Sequence, residues 1–337
     1  QRLPEGKPNP IRERTFDILH YKANLVFEFA KGRVFGEATV TLTPLRQIDS
    51  IALDAFSLSI KSVRDERTMA VLAFRSSPKV LTVKLSDTVG VGDTLSVKIV
   101  YDATPRAGMY FKTDPDNPTK YIIDTYGEGG LHANWLPIYN DVNDKFSSEM
   151  LITVPPPYTV ISNGKLIETI MKGEGFTTYH WLQTLPHSNY LIALYVGDFE
   201  EGKLASAFGT IPISYWAPRG RLNEGAYAFR NTTKMVEFFS ERFNYRYPWD
   251  KYDQIAVPDY SIGAMEHTGV TGHRACVLRD STAPLDFGPP DFTQYSGDWS
   301  AEATISHELA HHWFGDNLTC RNLSYIWLNE SFASYCM

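Results

Sequence analysis

Apolar and polar side chains alternate with a period of two through most of this chain from about residue 16 to residue 216, and then the alternation stops. The pattern is clear in Asn24-Leu25-Val26-Phe27-Glu28-Phe29, Glu37-Ala38-Thr39-Val40-Thr41-Leu42, Val80-Leu81-Thr82-Val83-Lys84-Leu85 and the run from Thr94 to Val100. Such runs describe strands with one face buried. Turn-forming residues break them at 87–93, at Pro155-Pro156-Pro157 and at Ser162-Asn163-Gly164-Lys165. Many short strands separated by turns point to an all-β sandwich or saddle-like sheet. Beyond residues 216–220 the spacing becomes helical. Ala226, Phe229, Thr233, Val236 and Phe239 predict one helix over 223–243, and Ala301, Ile305, Leu309 and Trp313 predict a second over about 300–313. Gly315 stands where a left-handed cap would close the second. A third helix is expected from about residue 324 to the end. The expected class is α+β, with an all-β domain over 1–205 and a mainly helical one over 206–337.

At roughly 150 residues per domain, 337 residues suffice for two domains. Acidic groups outnumber basic ones by 39 to 32, a net charge of −7, and no run of five basic residues occurs, which excludes the footprint of a nucleic-acid binder. The longest mainly apolar stretch, around 190–199, is far shorter than the roughly 20 residues of a membrane-spanning helix. Cys276, Cys320 and Cys336 form neither CxxC pairs nor a disulfide scaffold, and none has a nearby His in a nucleophile motif. The chain starts at Gln1 with a polar, Pro-rich segment. The expectation is an exported protein, periplasmic or extracellular, after signal removal, with a cytoplasmic location also open.

The chemistry concentrates in Ile305-Ser306-His307-Glu308-Leu309-Ala310-His311-His312-Trp313. Four residues apart on a helix, His307 and His311 lie within about 40° of each other, so two imidazoles can share one metal ion. Glu308 lies off that axis, where its carboxylate can reach a water at the metal without binding the metal itself. HExxH arises by chance about once in a hundred chains of this length. A third donor narrows the reading. Glu330, within Trp327-Leu328-Asn329-Glu330-Ser331-Phe332-Ala333, follows His311 with 18 residues between them, enough for a helix end, a loop and a returning helix. Two His and one Glu make an open, catalytic zinc set with room for water and substrate.

On these residues, and on Gly263-Ala264-Met265-Glu266-His267 about 40 positions before the zinc helix, the chain resembles the M1 family of zinc metallopeptidases, the gluzincin aminopeptidases. Weaker similarities lie in Tyr126-Gly127-Glu128, in residues 134–145 and in residues 191–199. The resemblance implies an N-terminal β domain joined to a thermolysin-like catalytic domain, incomplete in this chain. It implies one zinc ion per chain on His307, His311 and Glu330, with Glu308 as general base. Glu266, with Glu128 as a second anionic partner, would receive the free α-ammonium of a peptide substrate, and Gly263, Ala264 and Met265 would line that subsite. Hydrolysis of the N-terminal peptide bond would follow.

Departures from the family pattern are His267 in place of Asn, His312 in place of Gln, Ser331 in place of Gly and Tyr126 in place of Gln. The chain also stops seven residues after Glu330, ahead of the family's oxyanion-stabilising Tyr. Tyr335 is too close to Glu330 on one helix for that role. The missing C-terminal region of the same protein would then be a partner of this portion. Two alternatives stay open, a weakly active or non-catalytic zinc-binding interaction module and a metalloendopeptidase. His20, His132, His180, His187 and His273 lack a partner at ligand spacing and read as structural or surface residues. The sequons at Asn231, Asn317, Asn322 and Asn329 read as coincidence.

Overall fold

The computed structural model describes residues 12–278 and 301–337; the polar residues 1–10 and the expected helix start at Ser300 lie outside them. The alternation becomes sheet, as its period requires. Seven strands form the largest sheet, in the order Lys165–Met171, Thr177–Ser188, Lys145–Val154, Phe16–Glu28, Arg33–Pro44, Leu95–Ala103 and Ser59–Asp65. Only Phe16–Glu28 and Lys145–Val154 pair in parallel; the other neighbours are antiparallel. In Arg33–Pro44 every second residue from Val34 onward is buried. A three-stranded sheet (Ile48–Asp54, Val80–Val89, Phe74–Ser76) and a four-stranded sheet (Thr159–Ser162, Leu194–Gly197, Tyr121–Thr125, Met109–Thr113) supply the rest of this core.

A five-stranded mixed sheet follows, in the order Phe199–Lys203, Ile213–Pro218, Tyr252–Val257, Val270–Arg274 and Ala264–Met265. Residue 205, the expected end of the all-β domain, falls between two strands that pair with each other in this sheet. The join to the first region is a shared core. Ile122, Tyr190 and Tyr195 pack with Ile255, Tyr260 and Met265 in one buried cluster. Polar contacts cross it too. Lys145 donates to the carbonyls of Asp316 (2.7 Å) and Asn317 (3.0 Å), and Asn163 Nδ2 donates to the carbonyl of Thr268 (2.8 Å).

The helical part departs from the expected boundaries. Instead of one helix over 223–243 there are two, α1 (Leu222–Ala228) and α2 (Thr232–Arg242). Tight i to i+3 bonds, Arg230 N–H to Tyr227 O and Thr232 N–H to Phe229 O, carry the chain between them, and Ala226 turns outward. The zinc-motif helix, α3 (Glu302–Ala310), ends at Ala310 rather than Trp313. Residues beyond it overwind, with His312 N–H bonded to Leu309 O and Trp313 N–H to Ala310 O. Gly315, at φ +137°, therefore sits in the following turn and does not cap the helix. Ala301, Ile305, Leu309 and Trp313 are all buried, as their spacing demands. The last helix, α4, spans Trp327–Cys336 after a short 3-10 turn at Leu323–Tyr325. Among the described residues no helix is long and apolar enough to cross a membrane.

His273 tests the packing of the second sheet. It is fully buried beside Phe229, ring centroids 5.6 Å apart, and neither ring nitrogen has a hydrogen-bond partner among the described residues. Burial holds this imidazole down to about 3. Unfolded, it titrates near 6.5, so its neutral form contributes stability that is complete above that pH and is lost as pH falls towards 3, where unfolding takes up a proton. His273→Phe removes this linkage. The melting-temperature difference, variant minus parent, should grow from pH 8 to pH 5; a difference that stays flat would mean the ring titrates freely in the fold.

Candidate metal centre and active site

Helix α3 presents His307 and His311 one turn apart, and their Nε2 atoms lie 3.1 Å from each other. The Nδ1–H of His311 donates to the carbonyl of Phe314 at 3.0 Å, which leaves Nε2 facing the cleft. From α4 the Oε2 of Glu330 reaches within 3.5 Å of His307 Nε2 and 3.6 Å of His311 Nε2. A tetrahedral ion with bonds of about 2.0–2.1 Å separates its donors by roughly 3.3 Å, so this donor set has the size and chemistry of a zinc site. Glu330 is partly buried, which alone would raise its carboxyl, but hydrogen bonds from His307 and His311 outweigh burial and hold it far below the usual range.

The start of α4 is tied to the rest of the molecule by Asn329, the residue before the donor. Its Oδ1 accepts from the Cys320 N–H (3.2 Å) and its Nδ2 donates to the Tyr190 hydroxyl (3.2 Å). Asn329 is fully buried, so its sequon cannot carry a glycan in this fold. Asn322 caps the preceding turn, accepting from Ser324 N–H at 2.8 Å.

Three further carboxylates share the cleft, whose volume is about 630 Å³. Glu308 is buried, and its carboxyl is raised well above the usual range by burial and by the charges of Glu266, Glu330 and Glu128, with His311 opposing. Glu266 follows the short edge strand Ala264–Met265, which pairs antiparallel with Val270–Arg274 and so aims the carboxylate into the cleft. Burial raises this carboxyl as well. Glu128 enters from the first region, just beyond strand Tyr121–Thr125, and accepts a hydrogen bond from Tyr126 at 2.5 Å. Gly127 makes that approach available, since a Cβ there would lie 2.4 Å from the Tyr190 carbonyl oxygen. Gly263, Ala264 and Met265 line the same cleft. Ligand atoms of Glu266, Glu308 and His311 also lie within 4.8 Å of one another.

Of the substituted positions, His267 and His312 lie behind this wall, Tyr126 lines the cleft and Ser331 is exposed on α4. His267 is fully buried with Nδ1 2.8 Å from the Tyr195 hydroxyl, and burial holds its imidazole well below the usual value. His312 donates from Nδ1 to the carbonyl of Glu308 (3.2 Å) and accepts at Nε2 from the Gly269 N–H (3.0 Å), so it is neutral and braces the turn of α3 that carries Glu308. Tyr335 is 86% exposed on α4. His132 accepts from Trp135 Nε1 (2.9 Å) and His187 pairs with Ser148 (2.8 Å), each in the β core. Tyr190 and the amide of Asn329 were not legible as site residues, because neither belongs to a periodic or ligand-spaced pattern.

An open His, His, Glu donor set beside three further carboxylates, on a β domain joined to a mixed sheet with helices, defines a metallopeptidase class. The comparisons agree. The Peptidase M1 N-terminal domain matches residues 18–191 and the Peptidase family M1 domain matches residues 227–337, and the chain belongs to peptidase family M1. It is 31% identical over 199 residues to endoplasmic reticulum aminopeptidase 1 of Homo sapiens, covering 59% of this chain and 20% of that protein. It is 30% identical over 200 residues to aminopeptidase N of Acetobacter pasteurianus, covering 59% and 54%. The chain thus matches about a fifth of the length of the mammalian relative. In fold it is similar to the M1 zinc metallopeptidase from Deinococcus radiodurans, with a TM-score of 0.80 at 21% identity over 97% of this chain and 70% of that one.

Removing one donor tests the centre directly. Parent protein should bind one equivalent of zinc by elemental analysis after gel filtration, and His311→Ala should bind none. Stoichiometric zinc in that variant would reject His311 as a ligand.

Proposed function

We propose that this chain carries the active centre of a zinc-dependent aminopeptidase that hydrolyses the N-terminal peptide bond of peptides. The observation that supports it most is the meeting of two groups in one cleft: the donors His307, His311 and Glu330, and the anionic pair Glu266 and Glu128. Zinc, which His307, His311 and Glu330 would hold, would supply Lewis acidity and lower the pKa of a bound water. Glu308, which lines the same cleft, accepts the proton of the attacking water and returns it to the leaving amine. Glu266 and Glu128 receive the substrate's α-ammonium through charge-assisted hydrogen bonds. An amine-blocked or internal peptide leaves a buried carboxylate without a partner, which costs about 1–3 kcal/mol, or roughly 5- to 150-fold in selectivity.

The assay that separates this reading from an endopeptidase or a non-catalytic module uses L-leucine p-nitroanilide beside its N-acetyl derivative. Only the free amine should be cleaved. Equal cleavage would remove exopeptidase specificity, and cleavage of neither would favour the non-catalytic module. Glu308→Gln should keep its zinc while kcat falls by roughly 100- to 10,000-fold, the usual contribution of a positioned base; turnover equal to the parent's would exclude Glu308 from that role.

A further inference from the structure

Glu266 lies deep in the cleft wall, only 6% exposed, so the direction of its carboxylate depends on what holds it. The Tyr190 hydroxyl is 3.4 Å from Glu266 Oε1 and also 3.2 Å from Asn329 Nδ2. The polarity of this chain is fixed by its far end. Cys320 N–H can only donate, so the atom of Asn329 facing it is the carbonyl oxygen, and the amide nitrogen must face Tyr190. An amide nitrogen only donates, so the hydroxyl accepts from Asn329 and has its one proton to give to Glu266. Burial, and then the charge of Glu266, push the Tyr190 phenol far above its ordinary range, so it remains a donor. Tyr190 itself comes from the β region, in the 3-10 turn Asn189–Leu191, where Asn189 Nδ2 donates to the carbonyls of Tyr139 (3.2 Å) and Asp141 (2.6 Å).

Two consequences follow from this directed chain. One oxygen of Glu266 is engaged by the phenol, which leaves the other to meet a substrate. Asn329 is also the neighbour of the metal donor Glu330, so a single phenol from the β region is hydrogen-bonded to both sides of the cleft. We propose that Tyr190 is a positioning residue that aims Glu266 and sets its distance from the Glu330 end of the cleft, and so determines the preference for ligands with a free α-amine. The inference rests on the reading of Glu266 as the amine acceptor.

The test is equilibrium binding of L-leucine and of N-acetyl-L-leucine to zinc-loaded protein by calorimetry. The parent should prefer leucine. Tyr190→Phe should weaken leucine by about tenfold, the size of one hydrogen bond to a charged group, while leaving N-acetyl-leucine and zinc content unchanged. In a Glu266→Gln background the same substitution should change neither affinity further. Equal weakening of both ligands, an unchanged preference, or a persisting effect without Glu266 would overturn the role of Tyr190. A parent that binds both ligands equally would instead remove Glu266 from the amine subsite, and the inference with it. Should Tyr190→Phe not fold, Asn329→Asp carries the same expectation, since it keeps the acceptor for Cys320 and draws the phenol's proton away from Glu266.

Discussion

For one ion to be held, three donor atoms from two separate helices must come within about its width, and the rest of the helical part is arranged around the meeting of His307, His311 and Glu330. A helix alone can supply the first two, because 3.6 residues per turn place His307 and His311 on one face. It cannot supply the third. Glu330 reaches the pair because the chain overwinds after Ala310, turns through Gly315 and re-enters a helix whose first turn is held by Asn329. The early end of α3 is part of the same device, since the Phe314 carbonyl that accepts from His311 is positioned by that overwound turn.

Charge is the second constraint. Glu128, Glu266, Glu308 and Glu330 line one cleft, and burial raises Glu266 and Glu308 against their ionised forms. Such a wall is costly to assemble without positive charge, and the proposed metal dication and substrate ammonium are positive charges that would suit it. The buried histidines around it, His267 and His312, are held neutral and so add no competing cation. That explains physically why two imidazoles can stand where the family more often has Asn and Gln. Each is a buried hydrogen-bonding ring behind the wall, and neither lines the cleft.

Much of the architecture could be read from the chain alone. Period two over 16–216 has only one economical outcome, half-buried strands, and the helical spacing of Ala301, Ile305, Leu309 and Trp313 identifies which side of the zinc helix is core. The cluster of His307, His311 and Glu330 was legible because metal chemistry restricts residue type and spacing together. Helix ends were less legible. The split between α1 and α2 and the stop at Ala310 follow from i to i+3 bonds that leave the apolar spacing almost unchanged.

By itself, then, the sequence determined the classes of local structure and the identity of the residues able to hold a metal, because both are written in short-range periodicity and residue chemistry. Only the tertiary structure decided that Glu128 shares one cleft with Glu266, and that Tyr190, more than a hundred positions before α3, hydrogen-bonds Glu266 and Asn329. The reason is physical: a contact between a turn at residue 190 and a helix at residue 329 is set by how two sheets bury a common core, and no local pattern in either segment encodes it.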